Sequence, residues 1–316
     1  MAINGISESL AGLPRPHGFV LGGGSSLGAI QVGMLQALAE NAVFPDLVTG
    51  TSVGALNGAA LALDPSSAAF RLSHVWARMT REQVFPGNLA TQARTLQRGK
   101  THMFANTGLA AVIGEFLPNA ENFEDLAIRF AAVTTDIETG RPFSISAGPL
   151  QPALLASAAV PGLFPPIRYD AHLLYDGGIV ANVPMRQAVS LGARSLVVLD
   201  CAYPGRLPTP PQTLTEAVAY SALLMLRTQA VLDAPVVAAD MPVVYLRGPE
   251  ISVTSPLDFS KTAILVESAY ESTRTFLAAL HIDGPGLYGG PGSPLSESES
   301  GEGQSDLRSE HSIISE

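Results

Sequence analysis

The sequence has little cysteine, few basic residues and no long hydrophobic run. Its 316 residues include one cysteine, Cys201, which excludes an internal disulfide and a metal site built from several thiolates. The six histidines show no ligand spacing such as His-Glu-x-x-His, so we expect no metal and no cofactor. Lys and Arg total 18 against 28 Asp and Glu and form no cluster, which excludes nucleic-acid binding through phosphate neutralisation.

Segments that would direct the chain into a membrane are also missing from the sequence. The first 15 residues lack the basic and apolar regions of a signal peptide, and no window reaches about 18 uninterrupted apolar residues. The single cysteine fits a reducing compartment. We therefore expect a cytoplasmic protein whose contact with membranes is at most peripheral. The sequence leaves the oligomeric state open.

The composition divides the chain into a globular part and a polar tail. Residues 291–316 hold eight serines, six acidic residues and one arginine, too few apolar side chains to offset the entropy of ordering. This stretch supplies half of the formal net charge of -10, so the acidity says little about the folded surface. We expect one domain over residues 1–285 and a disordered Ser/Glu-rich tail over residues 286–316.

Short apolar runs alternate with longer amphipathic runs, the pattern of parallel strands linked by crossover helices. The pattern predicts an α/β fold with strands over residues 18–21, 46–49, 130–134, 195–199 and 243–246. Helices are predicted over residues 28–39, 53–63, 185–191, 214–232 and 262–280.

A Gly-x-Ser-x-Gly motif centred on Ser52 joins a predicted strand to a predicted helix. Gly50 and Gly54 flank the serine, and such a turn needs glycines because a Cβ would collide with the strand or the helix. The serine would project at the helix N-terminus, where the dipole and free N–H groups favour the charge that develops in acyl transfer. The motif therefore predicts a nucleophile, although an ordinary glycine-rich turn would show the same short pattern.

A second glycine-rich turn, from Gly22 to Gly28, follows the first predicted strand. It reads Gly22-Gly23-Gly24-Ser25-Ser26-Leu27-Gly28 and lacks both the Gly-x-Gly-x-x-Gly spacing and the Lys-Ser or Lys-Thr pair of nucleotide-binding loops. Its backbone N–H groups would suit the oxyanion of an acyl-transfer reaction. A tight turn without a ligand remains the alternative. Because both loops follow parallel strands, they are expected to open on the same edge of the sheet.

The general base is left open by the pattern alone. His17 precedes the first strand and His311 lies in the tail, and no other histidine has a placement that singles it out. Asp176 follows the apolar run 173–175 and precedes Gly177 and Gly178, which allow a tight backbone turn. Asp-Gly is also the commonest hairpin signal, so the pattern alone favours a structural turn over a general base at these residues.

These three motifs in this order resemble the patatin-like phospholipase family, over residues 18–280. Three further stretches support the resemblance: Ser-Ala-Ala-Val-Pro-Gly-Leu-Phe-Pro-Pro at 157–166, Asn-Val-Pro at 182–184 and Leu-Gly-Ala at 191–193. The resemblance implies a three-layer α/β/α sandwich with a mainly parallel central sheet. It also implies a Ser-Asp dyad in which Ser52 attacks the ester and Asp176 takes its proton, without a histidine or a metal.

The resemblance implies that backbone groups around Gly23, Gly24 and Ser25 form the oxyanion hole. The family's loop usually ends in Gly-Gly-Gly-x-Arg-Gly. Aligned on Gly28, the present loop has Ser25 at the third glycine and Leu27 where Arg or Lys is common. This departure removes a charge that could help to bind a phosphate headgroup.

The resemblance thus implies a serine hydrolase that cleaves acyl esters of lipids. One alternative is an acyltransferase, although related transacylases have Gly-His-Ser-x-Gly and this chain has Thr51 before the serine. The other is a non-catalytic lipid-binding regulator on the same scaffold. Residues 103–117 are predicted to form either a lid or part of the core, and residues 214–232 a core helix, an oligomer contact or a lipid tunnel.

Overall fold

A mixed sheet forms the centre of the computed structural model, which describes residues 10, 12–87, 92, 95, 97, 101–201, 211–249 and 257–291. Within these residues the strands are β1 (His17–Leu21), β2 (Leu47–Thr51), β3 (Arg129–Asp136), β4 (Arg141–Ile145), β5 (Ile167–Tyr169), β6 (His172–Asp176), β7 (Ser195–Asp200), β8 (Pro242–Arg247) and β9 (Gly286–Gly289). Their order is β5-β6-β3-β2-β1-β7-β8-β9, with β4 paired to β3. Strands β1, β2, β3, β7, β8 and β9 run parallel, whereas β4, β5 and β6 pair antiparallel.

Helices cover both faces of this sheet. Among the described residues they are α1 (Ala29–Glu40), α2 (Val53–Leu63), α3 (Ala68–Arg78), α4 (Arg81–Val84), α5 (Thr107–Phe116), α6 (Leu150–Ser157), α7 (Gly178–Ala181), α8 (Met185–Ser190), α9 (Leu214–Ala238) and α10 (Thr262–Ala279). Two short 3₁₀ helices span Ser25–Gly28 and Phe123–Asp125.

Two hydrophobic cores lie on opposite faces of the sheet because strand side chains alternate in direction. Phe19 and Leu21 of β1 belong to the larger core, whereas Val20 between them belongs to the smaller core. Helices α1, α2, α3 and α10 contribute to the larger core, and α8 and α9 to the smaller one. The predicted α/β/α sandwich with a mainly parallel sheet is therefore confirmed.

The segment 103–117 belongs to the larger core. Helix α5 forms most of it, and its large apolar side chains are buried there: Phe104, Leu109, Val112, Ile113, Phe116 and Leu117. Only Met103 is substantially exposed among its large hydrophobic residues. The core interpretation of this segment therefore agrees with the structure.

Helix α9 carries several exposed apolar side chains, including Met225 and Leu232, which are 68% and 65% exposed. In the described ranges, no helix, the long α9 included, is both long and apolar enough to cross a membrane. Strand β9 extends the sheet past residue 285, the predicted end of the domain. The predicted acidic tail lies, from residue 292 onward, outside the described residues.

Candidate active site

The Ser52 motif forms a strained turn between β2 and α2. Ser52 has φ 56° and ψ -128°, a left-handed backbone conformation that costs a non-glycine residue on the order of 1–3 kcal/mol. The flanking glycines are required by close backbone contacts. A Cβ on Gly50 would lie 2.3 Å from the Gly54 carbonyl oxygen, and one on Gly54 would lie 2.3 Å from the Leu21 carbonyl oxygen. The motif therefore brings the serine turn against the end of β1.

The glycine loop after β1 lies directly beside Ser52. A Cβ on Gly23 would be 3.1 Å from the Ser52 Cβ. Gly28, at the end of the loop, approaches α2 closely, since a Cβ there would be 2.5 Å from the Val53 Cγ2. The predicted meeting of the two loops at one edge of the sheet is thus observed. Leu27, at the position where the family often has a cation, is buried in the larger core.

The backbone N–H groups of the loop differ in their availability. The Gly23 N–H donates to the Asn182 carbonyl oxygen at 3.1 Å, so it is already engaged. Within the described part of the chain, the N–H groups of Gly24 and Ser25 have no acceptor, and neither has that of Val53 at the start of α2. Val53 was not singled out from the sequence, although its place after the predicted nucleophile is a known signal for an oxyanion donor.

Asp176 ends β6 and is only 5% exposed. Its Oδ1 accepts the Gly178 N–H at 2.7 Å, and its buried Oδ2 has no hydrogen-bond partner among the described residues. A Cβ on Gly177 would lie 2.3 Å from the Val133 carbonyl oxygen and 3.1 Å from the Thr51 Cγ2. The glycine therefore lets the Asp176 turn approach the end of β2, and the chain continues into α7 instead of a hairpin.

The C-terminal end of α6 and the residues just after it hold the backbone of both predicted catalytic residues. The Ser157 Oγ accepts the Ser52 N–H at 3.0 Å and donates to the Val133 carbonyl oxygen at 2.7 Å. Two residues later, the Ala159 carbonyl oxygen accepts the Asp176 N–H at 3.0 Å. Ser157 was not identified from the sequence as a site residue. The only available signal was its place in the stretch 157–166 that supports the family resemblance.

Burial raises the pKa of Asp176 from its ordinary 3.8 to about 6. The Ser52 hydroxyl and the Gly178 N–H oppose part of this rise. The Ser52 hydroxyl lies near the Asp176 carboxylate but does not make a hydrogen bond of ordinary geometry to Oδ2. Catalytic hydrogen bonds are often long in the free enzyme and tighten when substrate binds. At neutral pH the carboxylate is therefore charged, but it is a much stronger base than an exposed aspartate.

No histidine within the described ranges is hydrogen-bonded to Ser52 or Asp176. His17 lies at the opposite end of β1 and shares a hydrogen bond of 2.9 Å with the Ser195 Oγ. His172 pairs with Asp136 at 2.9 Å, and His311 lies outside the described residues. The same ranges contain no group of three or more His, Cys, Asp or Glu side chains that could hold a metal ion.

Comparison with known proteins gives a consistent family match. Residues 19–189, more than half of the chain, match the sequence model of the patatin-like phospholipase family. Patatin-like phospholipase domain-containing protein 7 of Rattus norvegicus is 34% identical over 186 residues, which are 57% of this chain and 13% of that protein. Lysophospholipase nte1 of Aspergillus terreus is 32% identical over 195 residues, 59% of this chain and 12% of that protein.

The chain therefore spans only a small fraction of the length of these relatives. Among solved structures, VipD from Legionella pneumophila matches with 17% identity and a TM-score of 0.42, covering 84% of this chain and 68% of that chain.

Proposed function

Because the chain belongs to the patatin-like phospholipase family, we propose that it is a serine acyl hydrolase acting on acyl esters of lipids. In this proposal Ser52 is the nucleophile and Asp176 the general base. The observation that carries it is the strained Ser52 turn beside a buried carboxylate whose Oδ2 is unpartnered among the described residues and whose pKa is about 6. A turn without chemistry would need neither the strain nor the buried charge.

The first half of the reaction forms an acyl-enzyme. The Ser52 Oγ attacks the ester carbonyl carbon while its proton passes to Asp176. The N–H groups of Gly24, Ser25 and Val53 are our candidates for stabilising the oxyanion of the tetrahedral intermediate. Collapse of the intermediate breaks the bond to the leaving alcohol, and the alkoxide takes the proton from Asp176.

The second half releases the acyl group. A water molecule attacks the acyl carbon of the Ser52 ester and gives its proton to Asp176. Collapse then breaks the bond to the Ser52 Oγ, which recovers a proton from Asp176. The products are the fatty acid and the free serine, so the carboxylate acts as base and then as acid in each half without net change.

The substrate class is taken from the relatives and from the site. Proteins named phospholipase and lysophospholipase are among the relatives, so glycerophospholipids with one or two acyl chains are the first substrates to test. With Leu27 buried where the family often has a cation, this position supplies no charge for a phosphate. An acyl ester with a less anionic headgroup is therefore included in the proposed class.

We also propose that helix α9 makes peripheral contact with lipid. It adjoins the Asp176 turn, since the Gln229 Nε2 donates to the Ile179 carbonyl oxygen at 2.7 Å, and its exposed side chains Met225 and Leu232 are apolar. Replacing both with serine is expected to weaken co-sedimentation with phosphatidylcholine vesicles. Hydrolysis of a water-soluble ester should stay unchanged; equal vesicle binding by the variant would contradict the contact.

The proposed activity is tested by hydrolysis of p-nitrophenyl acyl esters of increasing chain length. Ser52→Ala and Asp176→Asn are each expected to reduce kcat/KM by about 10³-fold or more, while circular dichroism shows that both variants are folded. Full activity in either folded variant would contradict the dyad. If the wild type turns over only when an alcohol or a carrier thiol is added, acyl transfer replaces hydrolysis as the function.

A further inference from the structure

Two buried amide side chains hold the glycine loop from different elements, and neither takes part in the chemistry proposed above. Gln31 lies in α1, and Asn182 follows α7; they are 0% and 2% exposed. Both side chains donate hydrogen bonds to backbone carbonyl groups of the loop. Their contacts determine how the peptides between Gly22 and Gly24 are oriented.

Gln31 fixes the carbonyl group of Gly22. Its Nε2 donates to the Gly22 oxygen at 2.8 Å and to the Leu199 oxygen at 3.1 Å. A chain of buried hydrogen bonds sets this orientation. The Trp76 Nε1 can only donate, and it does so to the Asn57 Oδ1 at 2.9 Å. The Asn57 Nδ2 therefore faces the Gln31 Oε1 at 2.8 Å, which leaves the Gln31 Nε2 directed at the loop.

Asn182 fixes Gly23 on both its N–H and its carbonyl side. The Asn182 carbonyl oxygen accepts the Gly23 N–H at 3.1 Å, and the Asn182 Nδ2 donates to the Gly23 oxygen at 3.4 Å. Asn182 is itself held by helix α9, because its N–H donates to the Gln229 Oε1 at 3.0 Å. The segment after Asp176 is thus joined to the glycine loop.

These contacts fix two successive peptide planes. The Gly22 carbonyl and the Gly23 N–H belong to one planar trans peptide, which the Gln31 side chain holds at one end and the main-chain carbonyl of Asn182 holds at the other. The Gly23 carbonyl and the Gly24 N–H share the next peptide and point in opposite directions. The Gly23 oxygen points toward the Asn182 Nδ2. The Gly24 N–H therefore points away from the Asn182 side chain.

We infer that Gln31 and Asn182 are positioning residues that set the direction of the Gly24 N–H toward the developing oxyanion. The inference rests on the proposed function, in which that N–H is an oxyanion donor. Oxyanion donors act because they are oriented before the charge develops. A misplacement of about 1 Å can cost about 10²-fold in rate, so loss of either amide is expected to matter although neither touches substrate.

The test compares Gln31→Met and Asn182→Ala with the matched control Gln36→Met. Gln36 lies on the same helix, and its Nε2 donates to the Ser73 Oγ at 2.9 Å, away from the loop. For each folded variant the readouts are kcat, KM, the pH midpoint of kcat/KM and the Ki of an acyl trifluoromethyl ketone. The Ser52 hydroxyl adds to the carbonyl carbon of this ketone. The resulting hemiketal carries an oxyanion like that of the tetrahedral intermediate.

Both variants are expected to lose kcat by about 10- to 100-fold, with Ki raised by a similar factor. KM should stay within about twofold and the pH midpoint near the pKa of Asp176, because ground-state binding and the base are untouched. The control should match the wild type. A merely structural role would not raise the Ki in proportion to the loss of kcat.

The inference is overturned if the variants keep wild-type kcat, or if kcat falls while the Ki stays unchanged. Should Gln31→Met fail to fold, Asn182→Ala decides the matter by the same readouts, since it acts on the peptide that carries the Gly24 N–H. A wild type that neither hydrolyses esters nor binds the ketone would instead contradict the proposed function itself.

Discussion

Asp176 is under two opposing demands, since burial disfavours its charge while the proposed chemistry needs that charge as a base. An exposed aspartate with a pKa of 3.8 is a weak base for an alcohol. Burial to 5% exposure raises the pKa to about 6, which brings the carboxylate close to the range in which general bases work at neutral pH. The Ser52 hydroxyl and the Gly178 N–H both lower this pKa and so oppose part of the effect of burial.

The pH dependence of activity should report this pKa. Only the deprotonated carboxylate can accept the Ser52 proton, so kcat/KM is expected to rise with pH, with a midpoint near 6, and to level off above it. Initial rates with a neutral ester across the pH range check the profile. A midpoint near 4, the ordinary value for an aspartate, would contradict the raised pKa of Asp176.

The free energy of unfolding should fall with rising pH over the range in which activity rises. Because the pKa of Asp176 is raised on folding, the folded state binds the proton more tightly, and stability falls as pH rises from about 4 to about 6. Asp176→Asn removes the buried charge and keeps an acceptor for the Gly178 N–H. The variant is expected to be about 1–3 kcal/mol more stable than wild type at about pH 8, with the difference vanishing near pH 4.

Denaturant unfolding at the two pH values measures this difference. A variant less stable than wild type at the higher pH would contradict the account of a buried, destabilising carboxylate.

We expect Ser157 to contribute to stability and activity by accepting the hydrogen bond from the Ser52 backbone N–H. Ser157→Ala leaves the Ser52 N–H without its acceptor, and an unpaired buried donor costs about 1–3 kcal/mol. We expect lower stability and a reduced kcat, because the strained turn loses a contact that holds it. Ser190→Ala is the control, since that exposed hydroxyl bonds only to the Arg186 carbonyl oxygen of its own helix. Equal unfolding free energies for the two variants would exclude this role.

At the scale of elements, the site depends on two strand-turn-helix units that pack through glycine. The sequence predicted helix α2 over 53–63, its observed bounds, because an apolar run begins at the end of a glycine-flanked turn. Which N–H groups of the glycine loop could serve as the proposed oxyanion donors could not be predicted from the sequence. The Gly23 N–H is engaged by Asn182, a residue 159 positions away, and no local pattern contains that contact.

The proposed role of Asp176 could not be predicted from the local sequence pattern either. The Asp-Gly pair predicts a turn whether Asp176 is a general base or only part of a structural turn. The two interpretations differ in the burial of Asp176 beside β3 and in its closeness to the Ser52 turn, which are tertiary properties. Strands β5 and β6 also escaped prediction. They are short, and most of their side chains are only half-buried, so they lack the continuous apolar runs of the central parallel strands.

Two helical glycines provide a matched test of this packing. Gly54→Ala would place a Cβ 2.3 Å from the Leu21 carbonyl oxygen and 2.5 Å from that of Gly22. We expect a loss of about 3 kcal/mol or more with little activity, since backbone must move. Gly114→Ala in α5 meets nothing within 4 Å and should stabilise by about 0.4–1 kcal/mol. Thermal unfolding compares the two; a tolerated Gly54→Ala would contradict the close packing of the turn.

At the scale of the whole molecule, the sheet determines where the chemistry can lie. The parallel strands β1 and β2 end side by side, and the antiparallel strand β6 brings Asp176 to the same place through its pairing with β3. The sequence predicted the parallel centre well because its strands are buried on both faces. It could not predict the antiparallel edge, and that edge supplies the proposed base.

The central claim is that Ser52 is the nucleophile of this assembled site. Its most direct test is intact-mass analysis and peptide mapping after reaction of the folded wild type with an alkyl organophosphonate. The account predicts one adduct per chain, located on Ser52, and none on Ser52→Ala. An active wild type with its adduct on another residue, or with no adduct, would contradict the account.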